Sequence, residues 1–183
     1  MYNKEKVRKM NNNRKKIVTN INFWKGFYTV ILFIGLILMS FEVHIYRVTI
    51  IETYIPVSII FIIGFVAFYY NRHHYKSVYM LKSNFYPLLQ NLFSWGFISC
   101  YVFMAANYYF ASKQESEFKF AIKEKGTMPK GAPLITFNYF NFKKELVFKV
   151  IDANKVETAD SVIINVSKGG LGFDILSDYD VYK

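Results

Sequence analysis

Cysteine occurs once in these 183 residues, histidine three times and proline four times, and each scarcity removes a class of explanation. With Cys100 alone, an intrachain disulfide and a thiolate metal site are excluded, and its place within an apolar run argues against a thiol nucleophile. His44 is remote from the adjacent pair His73 and His74. Neighbours on a helix point about 100° apart, unlike the i, i+4 pair of a zinc helix. Ser161, Ser167 and Ser177 have no histidine in their own segment to activate them, which excludes a triad there. The expectation is a chain without metal, without cofactor and without a catalytic constellation, and so not an enzyme.

Charge is also scarce, but only locally. Residues 26–41 carry none, and the run extends to Tyr46 if Glu42 and His44 lie at an interface. Residues 53–71 are uncharged between Glu52 and Arg72, and residues 83–112 are uncharged throughout. A hydrocarbon core takes about 20 residues of helix, and these runs are apolar on every face, where a soluble core would require one polar face. Three spans follow, at about 26–46, 53–71 and 88–110. The first has the basic flank of a secretory signal, but Ser40, Phe41, Glu42, Val43 and His44 give no small-x-small cleavage pair, so an uncleaved anchor is expected. None of the runs has an ionisable residue near its midpoint, which argues against a transporter working alone. Gly96 and Cys100 have a small-x-x-x-small spacing suited to helix packing.

The formal net charge is +10, yet it is unevenly placed. Lys4, Lys6, Arg8, Lys9, Arg14, Lys15, Lys16 and Lys25 precede the first run, Arg47 stands alone in the first loop, and Arg72, Lys76 and Lys82 occupy the second. The excess of Lys and Arg on cytoplasmic loops places the N-terminus and second loop inside and the tail outside. Lys113, Lys119, Lys123, Lys125 and Lys130 pull the other way but are outnumbered. Residues 1–25 are then expected to form a flexible basic arm on anionic lipid, in a cell (inner or plasma) membrane, rather than a nucleic-acid contact. Trp24, Tyr28, Tyr69 and Tyr70 fall at inner ends of spans and Tyr46, Tyr54, Tyr108 and Tyr109 at outer ends, as interfacial rings do.

The tail, residues 111–183, changes period. Phe118, Phe120 and Ile122, then Ile135, Phe137 and Tyr139, then Leu146, Phe148 and Val150 recur at every second position, and residues 161–167 and 171–176 add two runs. Period two predicts strands, with turns at 125–133, 141–144 and 152–160. Four or five strands in so short a segment make a marginal antiparallel β domain. Tyr139, Phe140 and Phe142 are more than a small core easily covers and are candidates for a partner contact, with core packing as the alternative. Asp174, Asp178 and Asp180 lack the spacing and glycine of a calcium loop.

Gly169, Gly170 and Gly172 lie within four positions. They fit neither a dinucleotide loop nor a P-loop, and strand follows them, leaving no helix N-terminus for phosphate. They are expected to form a structural turn, one or two of them at positive φ. The fold class is thus three transmembrane helices followed by a compact, mostly antiparallel β domain. The expected function is that of a non-enzymatic envelope protein presenting this domain to another membrane or envelope protein, or to itself. The alternative is an immunity-like protective or regulatory protein acting through its helices.

Overall fold

The computed structural model describes the backbone of residues 2–129, 131–140 and 142–183, and the side chains of all of these except residues 2–19 and Phe142. The chain divides into two compact units, Met1–Glu42 with Pro56–Val102, and Val43–Ile55 with Phe103–Lys183. The second unit therefore takes in the first loop and the end of the third span as well as the tail.

The helical unit is built from α1 (Tyr2–Val48), α2 (Tyr54–Tyr79), α3 (Phe85–Asn91), a π-helical segment (Leu92–Gly96) and α4 (Phe97–Tyr109); the last turns of α1 and α4 belong to the second unit. Three helical stretches are long and apolar enough to cross a membrane: Asn20–Val48, Tyr54–Tyr79 and Phe85–Tyr109. Branched and aromatic residues, weak helix formers in water, recur along all three. Phe33, Ile62 and Val102 stand exposed on these helices, as surfaces meant for hydrocarbon do.

The helix α1 begins at Tyr2, so the arm expected to be flexible continues the first span as helix. Lys, Arg, Met and Glu are favourable helix formers, and extension of an existing helix fixes one residue per added bond. The side chains that would meet anionic lipid, Lys4 to Lys16, lie outside the described residues. Past residue 71, α2 carries Arg72, His73 and His74 on to Tyr79. Met80 ends it in the left-handed region at φ 55, and Leu81 N–H returns to Lys76 O at 3.0 Å. The cap has the usual form but lacks the glycine that would have announced it.

Polar groups brace this unit from within. Asn91 donates to Pro87 O at 2.7 Å and accepts from Asn71 Nδ2 at 3.1 Å, and Gln90 Nε2 donates to Tyr28 O at 2.8 Å. Gly96 sits so close to α2 that a Cβ would lie 2.7 Å from Ile60 O, which gives its small-residue spacing a packing role. Glu42 departs from expectation. Instead of reaching an interface it is 4% exposed, with Oε1 accepting from Cys100 Sγ at 2.9 Å and Oε2 without a hydrogen-bond partner among the described residues.

The β unit is a six-stranded antiparallel sheet in the order β1-β6-β5-β2-β3-β4: β1 (Thr49–Ile50), β2 (Glu115–Thr127), β3 (Pro133–Tyr139), β4 (Phe142–Val147), β5 (Ser161–Lys168) and β6 (Asp174–Tyr182). The count exceeds the expected four or five because β1 comes from the first loop, pairing Thr49 with Ile175. Two residues cannot display a period, so β1 left no pattern to read. The long β2 pairs with β5 through Glu115–Ala121 and with β3 through Ile122–Thr127, with a register shift between Ile122 and Glu124. Such a shift bends a strand, and the sheet curls nearly into a barrel. Lys144 of the edge strand β4 donates to Arg47 O at 3.2 Å and Thr49 O at 3.0 Å, while Tyr179 of β6 donates to Val147 O at 2.8 Å.

Inside the curl Ile135, Phe137, Val162, Ile164 and Val181 are fully or almost fully buried, together with Ile50 of β1. The expected turn at 141–144 is shorter than its polar residues suggested. Tyr139 pairs with Phe142, so Lys143 and Lys144 already belong to β4, and Asn141 lies outside the described residues, as does Lys130 of the turn at 125–133. Within the turn expected at 152–160, residues 153–158 form a short helix α5 (Ala153–Thr158), and Val150, expected on a strand, opens a 3-10 turn (Val150–Asp152); the helix places Val156 in the core. The last strand begins at Asp174 rather than residue 171, because Leu171–Phe173 are held by another element.

Candidate binding site

That other element is the end of α4. Asn107, 0% exposed, accepts at Oδ1 from Leu171 N–H at 3.1 Å and Phe173 N–H at 3.3 Å, and donates from Nδ2 to Phe173 O at 3.0 Å. Its backbone carbonyl accepts from Gly170 N–H at 2.9 Å. The loop lies so close that a Cβ at Gly169 would strike Phe173 O and the Asn107 amide, and one at Gly170 would lie 2.6 Å from Phe110 Cβ. Of the three, Gly172 alone has a positive φ, +94°. The glycines lie in the turn between β5 and β6; two of them are needed for close approach and one for conformation.

The latch fixes the pair that leaves the loop on either side. Lys168 and Asp174 are register partners, joined by an ion pair at 3.1 Å. Asp174 Oδ2 also accepts from Tyr139 OH at 2.7 Å. Burial, and then this carboxylate, push the Tyr139 hydroxyl well above the usual phenol range, so it remains a donor at any physiological pH. Beside the triad is a trough of about 280 Å³, lined also by Ser116, Phe118, Phe140 and Ser167.

The three aromatic candidates separate. Tyr139 is 4% exposed and belongs to the core, with its hydroxyl bordering the trough. Its ring faces inward on the same side of β3 as Ile135 and Phe137, as the strand period requires. Phe140 is 62% exposed and holds the hairpin turn in the left-handed region at φ 49, an uncommon state for an aromatic residue. Its ring packs edge-on against Phe118 and Phe120 at 5.8 Å from each. Phe142 opens β4, and its side chain lies outside the described residues.

The acidic residues near the C-terminus also separate. Asp174 is engaged as above, Asp178 accepts from Tyr179 N–H at 2.9 Å, and Asp180 pairs with Lys155. Three or more potential metal ligands gather nowhere among the described residues. Sequence reasoning missed Lys168 and Asp174 as a unit. The signal was present: a basic and an acidic residue flank the glycine loop symmetrically, as cross-strand partners at the mouth of a hairpin do. Chemically the trough offers a carboxylate, an ammonium, hydroxyls and an exposed ring, a set suited to recognition of a polar chain with an apolar side group. No family model, no curated protein and no solved structure matches this chain.

Proposed function

We propose that this chain is a membrane-anchored, non-enzymatic binding protein, whose three helices hold the β unit at the outer face of a cell membrane and whose trough receives a segment of another envelope protein. The side is argued from the basic residues, which crowd before the first span and between the second and third. The observation that carries the binding role is Phe140: a large ring, strained in its backbone and 62% exposed, at the rim of a polar trough. Strained backbone persists where surroundings over-determine it, and such positions cluster at binding sites. An exposed aromatic beside satisfied polar groups is the composition of an interface anchor.

A photo-crosslinking amino acid at position 140, activated in intact cells, tests this. The expected result is one adduct of defined mass, absent when the probe is moved to the exposed Glu157 and weakened by Asp174→Ala. Equal, diffuse adducts from both positions would remove the proposal.

A further inference from the structure

Two tryptophans occur in the chain, and both line a single cavity of about 280 Å³ in the helical unit, together with Phe27, Tyr28, Asn71 and His74. Each helix of the unit contributes: Trp24, Phe27 and Tyr28 from α1, Asn71 and His74 from α2, and Trp95 from the third span. Trp95 lies in the π-helical segment Leu92–Gly96. A π turn widens the helix by one residue and displaces the side chains that follow; such segments persist mostly where function requires them. The polar edge is ordered as well. Tyr28 OH and His74 Nδ1 are 2.8 Å apart, the Trp24 ring meets the His74 ring edge-on at 4.5 Å, and Asn71 is oriented by its bond to the buried Asn91.

The lining selects among ligands. Among the described residues its walls are aromatic and contain no carboxylate, while Lys25, Arg72 and Lys76 neighbour its residues in sequence, so an organic cation meets a repulsive field despite the rings. Among the described residues no Lys or Arg lines it, which leaves a phosphate without its usual partner. A neutral planar ring with hydrogen-bonding edges satisfies both constraints: it stacks on the indoles and meets His74 and Asn71. When Tyr28 donates to Nδ1, Nε2 carries the ring proton; when Tyr28 accepts, Nε2 is the acceptor. The volume lies just below the ~300 Å³ at which ligand pockets begin. It encloses a ring and leaves any tail outside, against the exposed apolar surface of α1 at Phe23, Phe27 and Val30. We infer that the cavity formed by Trp24, Tyr28, His74 and Trp95 binds the ring of a lipophilic quinone, with its tail in the lipid.

Because both indoles line the cavity, intrinsic fluorescence reports on it directly. Full-length protein in detergent micelles is titrated with 2,3-dimethyl-1,4-naphthoquinone, which has no free quinone-ring position for thiol addition, against N-acetyltryptophanamide in the same micelles. The expected result is saturable quenching that the free indole does not show, with the midpoint raised about tenfold in His74→Phe and in Asn71→Leu, each checked by circular dichroism for retained helix. Non-saturating quenching equal to that of the free indole overturns the inference, whatever the variants do. So do unchanged midpoints in both folded variants. Saturable quenching by tetramethylammonium or phosphate without quenching by the quinone also overturns it, and reassigns the cavity to a headgroup.

Discussion

Asn107 and Phe173 are joined as two peptide groups in a sheet are joined: the side-chain amide donates to Phe173 O at 3.0 Å and accepts from Phe173 N–H at 3.3 Å. A buried side chain thus serves as the strand partner that this loop lacks. Asn107→Leu removes one donor and one acceptor and leaves loop groups desolvated, at about 1–3 kcal/mol for each unsatisfied group. The expected outcome is loss of the β unit's cooperative melting below its normal temperature while the helical signal is retained.

The glycine loop separates space from conformation. Gly170→Ala places a methyl 2.6 Å from Phe110 Cβ and 3.0 Å from Ala106 O, so the loop must leave α4. Gly172→Ala meets nothing within 4 Å but must hold φ +94, a strain of about 1–2 kcal/mol. Thermal melts of the two variants should rank Gly170→Ala as the more damaging, and Gly169→Val with Gly170→Val as worse than either, with membrane insertion intact in all.

Glu42 invites the opposite change. Among the described residues its buried Oε2 has no partner, while Oε1 accepts from Cys100. Replacing a poorly satisfied buried polar group by an apolar one of similar size is neutral or stabilising. Glu42→Met should raise the melting temperature of the detergent-solubilised protein, whereas a fall of several degrees would show that the acid is needed for the fold.

Acid should weaken the β unit through two surface pairs. The Lys155 ammonium, then Val181 N–H, holds the Asp180 carboxyl below its ordinary range, and Lys143 does the same for Glu124. A carboxyl depressed in the folded state binds fewer protons than in the unfolded chain. Its stabilisation is therefore present above the ordinary carboxylate pKa, near 4, and is lost as pH falls through the folded value. Urea midpoints should fall between about pH 5 and pH 3, less so in the double variant Glu124→Gln with Asp180→Asn.

The long apolar helices and most strands were legible in the sequence because both leave long periodic or uncharged runs. Phe118, Phe137 and Ile164 fall in predicted strands by alternation alone. What escaped was short or locked by distant partners. β1 is two residues long, α5 is six, and α2 ends at Met80 without a glycine. Tyr139 and Phe140 are neighbours of like chemistry, and only the register of β3 with β4 decides which enters the core. Asn107 lies two residues before the end of α4, and nothing in residues 107 and 169–173 records that they meet.

Everything proposed for the trough depends on the side of the membrane that the β unit occupies. Lys155 is exposed on α5, and Cys100 is fully buried. In a Cys100→Ser background, Lys155→Cys is treated in intact cells with a membrane-impermeant maleimide, with and without prior permeabilisation of the inner membrane. Full labelling of the sealed cells is expected. Labelling that appears only after permeabilisation would place the β unit in the cytoplasm and contradict the proposed outer placement.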